Sequence, residues 1–158
     1  MTEKDKHPIE AWEEPREYSS PACFSHEFEA RERNANEARK ALTLYHNPAC
    51  SKSRETLALI QARGFQPRIV EYLKTPPTAS ELASIVRKLG IAPAALVRKS
   101  ERVFMEKYSG RTLSDADWIM AMVADPILME RPILVHDTVA AIGRPPENVE
   151  PLLLGVAR

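Results

Sequence analysis

Apolar and polar positions change rhythm near residue 41, and that change divides the chain. Residues 1–25 mix Pro8, Pro15 and Pro21 with many charges and show no hydrophobic period, so they read as disordered or loosely attached. Residues 26–41, HEFEARERNANEARKA, contain helix formers but little apolar surface; a solvated helix and no stable structure are both open readings. From Leu42 the pattern organises. Residues 42–46 (LTLYH) form a β-prone run that meets Asn47-Pro48, a strand running into a loop. Residues 51–63 read as a helix with Leu57 and Ile60 facing inward, closed by Gly64. Residues 68–72 follow as a second strand, and a strand–helix–strand unit of this kind pairs in parallel by default.

Thr78-Ala79-Ser80-Glu81 has the spacing of a capping box, in which hydroxyl and carboxylate satisfy reciprocal backbone donors. Leu82, Ile85, Val86 and Leu89 continue at helical spacing until Gly90. A short helix is expected over 93–98. Another starts at Ser114, with Trp118, Met122 and Val123 as candidate buried positions, and stops before Pro126. Residues 133–135 read as a strand, and a turn near Asp137 leads to a shorter strand around Ala141-Ile142. Pro145-Pro146 opens a last helix running through Leu154, since proline is tolerated in a first helical turn. The predicted class is α/β: a polar extension over 1–41, then one domain over 42–158.

Length and charge narrow the picture further. A chain of 158 residues fits one compact domain with its own core. The formal charges cancel, but unevenly: residues 1–41 hold 7 basic and 10 acidic side chains, residues 42–158 hold 15 and 12. A small positive excess in the domain suits a small anionic ligand and gives no reason to expect nucleic acid. Cys23 and Cys50 are too few for a disulfide framework and lack the C-x-x-C spacing of a metal site. Neither a signal-peptide pattern nor a run of about 20 apolar residues is present, so no membrane role and a reducing, cytoplasmic setting are expected.

The candidate chemistry sits in His46-Asn47-Pro48-Ala49-Cys50-Ser51-Lys52-Ser53-Arg54, which joins the first strand to the first helix. A thiol at a helix mouth lies where unpaired N–H groups and the positive helix end converge. That environment lowers a cysteine pKa, and the same donors can cradle an oxyanion. Lys52 and Arg54 add positive charge nearby. His46 either bonds backbone at the strand end or orients the loop and tunes the thiolate. Ser53 either bonds backbone in the first turn or donates to the Cys50 sulfur, and both fit a hydroxyl three residues on.

These residues resemble the active-site motif of the glutaredoxin-dependent arsenate reductases, a family of thioredoxin-like fold. The resemblance continues through Glu71-Tyr72-Leu73-Lys74-Thr75-Pro76-Pro77, Leu96-Val97-Arg98-Lys99, Met129-Glu130-Arg131-Pro132-Ile133-Leu134-Val135 and Ile142-Gly143-Arg144-Pro145-Pro146. It covers residues 42 to 154 and implies a thioredoxin-like mixed sheet: βαβ, a helical insertion, then ββα. It also implies that Cys50 is the nucleophile forming a covalent thiol–arsenate intermediate. Arg98, Arg131 and Arg144 match the family's oxyanion-binding arginines, with Lys99 and Arg102 as substitutes for Arg98; a guanidinium fork stays charged and pairs well with such anions. Asn47, Pro48 and Arg54 are supporting residues, and Pro132 stands where this fold carries a cis-proline.

The implied partners are arsenate, glutathione as co-substrate and glutaredoxin, with no metal and no bound cofactor. Ser53 occupies the place where a dithiol motif has its second cysteine, so reducing equivalents come from outside, or from Cys23 as an internal resolving thiol. A phosphatase-like oxyanion loop needs C-x5-R, and Thr56 stands at that position. The competing reading is a redox-sensitive thioredoxin-like regulator that binds RNA polymerase; such regulators typically carry C-x-x-C, and this chain has C-x-x-S.

Overall fold

The computed structural model describes residues 41–156 together with Glu29, Arg33 and Glu37, which are helical and exposed. The expectations for residues 1–25, including Cys23, lie outside the described residues.

Four short strands form one mixed sheet in the order β2-β1-β3-β4. β1 (Thr43–His46) pairs in parallel with β2 (Arg68–Glu71), placing His46 opposite Glu71. On its other side β1 pairs antiparallel with β3 (Ile133–His136), with Tyr45 opposite Ile133. β3 turns into β4 (Val139–Ile142) through Asp137, whose φ of 38° suits a tight hairpin. β4 is a full four residues long rather than the shorter strand expected.

The strand period of two sends alternate side chains to two separate cores. Ile133 and Val135 join Tyr72 in a cluster closed by Leu82, Ile85 and Val86 of α2 (Ala79–Leu89) and by Trp118, Ala121 and Met122 of α4 (Asp115–Ala124). Leu134 joins Leu42 and Leu44 in a second cluster. That cluster is closed by Ile60 of α1 (Ser51–Ala62) and by Leu152, Leu153 and Val156 of α5 (Glu150–Val156). Helices therefore cover both faces of the sheet, and the carboxyl end of β1 opens at its rim.

The capping box of α2 forms as its spacing predicts: Glu81 N–H donates to Thr78 Oγ1 at 3.2 Å and Thr78 N–H to Glu81 Oε2 at 2.8 Å. Gly90 ends that helix in the left-handed region. α4 begins after Ser114 with a capping box of its own, completed by Asp117.

Several expectations need correction. Val123 is half-buried rather than buried, and so is Leu57. The last helix is split: a 3-10 turn over Pro146–Val149 precedes α5, which continues to Val156. A helix missed in the sequence, α3 (Arg102–Lys107), buries no residue fully, and one and a half turns are too few to show a period. Its Phe104 stacks on Trp118 with ring centroids 6.1 Å apart. The expected helix over 93–98 is a 3-10 turn, Pro93–Leu96, followed by extended chain. That extended chain pairs with a second extended segment: Val97 bridges Met129, Arg98 N–H donates to Leu128 O at 2.7 Å, and Glu130 N–H donates to Leu96 O at 2.9 Å. This small ladder sets Arg98 beside Glu130 and Arg131.

Candidate active site

Cys50 occupies the N-cap position of α1 with extended backbone angles, directly after the loop that leaves β1. The loop closes on itself. Cys50 N–H donates to Asn47 O at 3.0 Å, and Ala49 N–H donates to the Asn47 side-chain oxygen at 3.0 Å, an Asx-type turn. Arg54 Nη1 reaches back to donate to Pro48 O at 2.8 Å. Its guanidinium is a clamp on the loop rather than a free cation. The Lys52 ammonium lies 2.7 Å from Glu55 and is likewise engaged away from the thiol. Asn47 N–H donates to Ser53 Oγ at 3.4 Å, so the fully buried Ser53 hydroxyl ties loop to helix.

The thiol itself is half-buried and is the only cysteine among the described residues. Burial pushes its pKa up. The Ser53 N–H and hydroxyl, the Arg131 guanidinium and the Lys52 N–H together outweigh burial, and the thiol lies below its ordinary value. The Ser53 hydroxyl bonds the loop before the helix rather than the first turn, and its proximity to the thiol favours the thiolate. His46 is buried, and burial holds its imidazole below the usual histidine value against the pull of Glu71 and the Ser53 backbone. Its Nδ1 has no aligned partner. Burial thus favours the neutral form of the imidazole.

Arg131 and Arg98 arrive from the helical insertion and the entry to β3. Arg131 is 9% exposed; it donates from Nη1 to Ile127 O at 3.2 Å and from Nη2 to Glu101 Oε1 at 3.3 Å. It also lies within interaction range of the Cys50 thiol and the Tyr72 hydroxyl, although its Nε makes no aligned hydrogen bond. Arg98 Nη1 sits 2.5 Å from the same Glu101 oxygen, and Arg98 Nε is 3.7 Å from Glu130 Oε2. The structure thus joins Arg98, Arg131 and Cys50 into one neighbourhood. Arg144 is different. It is exposed and its guanidinium makes no ion pair among the described residues, so only its backbone is tied to the site.

That tie runs through Gly143. The peptide before Pro132 is cis, as is the one before Pro145. Gly143 N–H donates to Pro132 O at 2.8 Å, and the buried Thr56 hydroxyl of α1 donates to Gly143 O at 3.2 Å. A Cβ on Gly143 would stand 2.6 Å from Thr56 Oγ1 and 2.9 Å from Pro132 Cγ. Thr56 cannot swing clear, because it is fully buried and its hydroxyl is also 2.8 Å from Lys52 O. Gly143→Ala is therefore expected to destabilise the domain by about 1–3 kcal/mol. Urea unfolding checks this, and an unchanged midpoint contradicts the close packing.

Three residues at the site were not singled out in the sequence: Tyr72, Glu101 and Glu130. Tyr72 is fully buried with no aligned bond to its hydroxyl. Burial pushes that phenol up while Arg131 and Arg98 pull it down. Its signal was available, because it follows the β2 residue opposite His46 and so comes alongside the Cys50 loop. Glu130 stands inside a resembling segment and Glu101 lies three residues from Arg98, but neither position in the chain points to Arg131, which Glu101 meets 30 residues away. Among the described residues, no three His, Cys, Asp or Glu side chains are grouped to hold a metal ion, and no helix is long and apolar enough to cross a membrane.

The chain is 46% identical over 112 residues to the uncharacterized protein YfgD of Escherichia coli, covering 70% of this chain and 94% of that protein. It is 42% identical to an arsenate reductase of Neisseria meningitidis, covering 71% of this chain and 97% of the relative. A solved arsenate reductase from Vibrio cholerae superposes with a TM-score of 0.68 at 43% identity, covering 70% of this chain and 95% of that one. These neighbours share the thioredoxin-like fold expected above. Residues 45–152 match the ArsC family, and the chain belongs to that family.

Proposed function

We propose that this protein reduces arsenate to arsenite, with Cys50 as the nucleophile. The observation that carries the reading is a thiol of lowered pKa at a helix N-cap, beside the buried guanidinium of Arg131. The arsenate reductases among its relatives point to the same substrate.

In the proposed reaction the Cys50 thiolate attacks arsenic. An As–S bond forms, and one arsenate oxygen leaves as water after taking up protons. Arg131 and Arg98 stabilise the remaining oxygens, and the N–H groups at the start of α1 support the sulfur. Arg144 completes the set if its exposed side chain turns toward the loop. Glutathione then displaces a second oxygen of the adduct, which leaves as water, so that arsenic carries both sulfurs; a glutaredoxin thiol attacks the glutathione sulfur and breaks its bond to arsenic. The two thiols end as a mixed disulfide, their two electrons take arsenic from As(V) to As(III), and hydrolysis of the Cys50–arsenic bond releases arsenite. External thiols supply the electrons because Ser53 stands where a second cysteine would otherwise resolve the adduct. A cytoplasmic location, where glutathione is abundant, belongs to the same proposal.

The test is arsenate turnover followed with glutathione, with and without glutaredoxin, beside a pull-down of RNA polymerase. Turnover that depends on both thiols is the expected result; capture of polymerase with no turnover overturns it. A second measurement addresses the thiol directly. Iodoacetamide alkylation tracks the thiolate, so its half-maximal rate is expected below the pH of about 8.5 typical of a free cysteine. A profile centred at or above that pH removes the helix-mouth activation.

A further inference from the structure

Glu101 immediately precedes α3 as its N-cap residue, yet its side chain makes no cap bond there. A carboxylate at a helix N-terminus ordinarily turns to the unpaired N–H groups. This one is turned the other way: a single oxygen, Oε1, lies 2.5 Å from Arg98 Nη1 and 3.3 Å from Arg131 Nη2. Both guanidinium groups are largely buried, with side chains 14% and 10% exposed. Both Nε atoms and Arg98 Nη1 are sealed from solvent and make no aligned hydrogen bond, so Arg98 and Glu101 attract as an ion pair alone. Two buried cations therefore converge on one carboxylate oxygen and keep donors unused.

We propose that Glu101 is a built-in competitor of the substrate: its carboxylate occupies the seat between Arg98 and Arg131 that the oxyanion takes, and it must withdraw when the oxyanion binds. The inference rests on the reading of Cys50 and these arginines as the site of arsenate reduction. An anionic oxygen of a carboxylate and one of a tetrahedral oxyanion accept from the same guanidinium donors, so the two are rivals for the place that Oε1 holds. Glu130 Oε2 stays 3.7 Å from Arg98, but Glu101 is the ion-pair partner of buried Arg131 among the described residues, and leaving a buried cation unpaired is costly, which gives the resting protein a reason to hold Glu101 there. Glu101 is suited to withdrawal, because it is itself 22% exposed and α3 behind it buries no residue fully. It acts through the arginines, and it is a positioning residue rather than a catalytic one.

The test compares Glu101→Gln with the wild type in two readouts: protection of Cys50 from iodoacetamide by arsenate alone, and the KM for arsenate in the coupled assay. Glu101→Gln keeps the size and an acceptor oxygen but removes the charge. The protection constant and KM are expected to fall about tenfold at low salt, with kcat changed less than KM. Glu106→Gln in α3 is the control, because Glu106 pairs with exposed Arg102 at 2.6 Å and removes the same charge away from the seat. An equal fall in that variant reduces the effect to net charge and overturns the proposal. A protection constant unchanged or raised in Glu101→Gln, with the wild type protected, overturns the competitor role and leaves the arsenate site standing. Absence of protection in the wild type at any arsenate concentration overturns both.

Discussion

Cys50→Ser is expected to lower arsenate turnover by at least about 10³-fold, to the limit of detection. The exchange alters one atom on a half-buried side chain outside both cores, so the fold and the oxyanion seat should persist. What disappears is ionisation. The Ser53 donors, the Lys52 N–H and Arg131 can bring a thiol below its ordinary pKa. They cannot do the same for an alcohol, whose pKa lies far higher, and an un-ionised hydroxyl is a poor nucleophile toward arsenic. Arsenate should still occupy the site, which a thermal-shift titration reads separately from turnover. Turnover within tenfold of the wild type would show that another group makes the first bond to arsenic.

Arg131→Ala is expected to cost about 10²–10³-fold in kcat/KM, the scale of losing one pre-placed charge stabiliser. It removes a cation that favours the thiolate, so the alkylation midpoint of Cys50 should move to higher pH at the same time. The sign follows from the contact: Arg131 favours the thiolate, and without it burial, which favours the neutral thiol, goes less opposed. Stability should fall less than for a typical buried ion pair, because Glu101 keeps Arg98 at 2.5 Å as a counter-ion. Arg131→Lys restores charge but not the fork that spans Ile127 O and Glu101, so partial recovery is expected. An unchanged arsenate titration together with an unchanged alkylation profile would take Arg131 out of the site.

Both expectations depend on parts of the site that were unequally legible in the chain. The nucleophile was local: strand, Asn47-Pro48, Cys50 and helix lie within a dozen residues, and the N-cap placement follows from that run alone. Ser53 was equally local, one turn on. The arginines were visible only as members of resembling segments, and the structure separates them. Arg98 and Arg131 meet because two extended stretches, around Val97 and Met129, pair across the insertion, whereas a helix was expected over the first of them. The side chain of Arg144 remains exposed. Lys52 and Arg54 looked like cations beside the thiol, but each found a nearer acceptor, Glu55 and Pro48 O.

By itself, then, the chain's order of residues determined what depends on short-range forces. Those are the capping boxes, the glycine stop, the strand–loop–helix that presents a thiol to a helix mouth, and the alternation that gives Ile133 and Leu134 to opposite cores. Only the tertiary structure decided which charges face that thiol and which are spent elsewhere. The reason is physical: hydrogen-bonded turns and caps act between residues three or four apart, where spacing alone sets the contact. Coulomb partners are chosen by proximity in space and by exclusion of water, and no spacing in the chain encodes that Glu101 would reach Arg131.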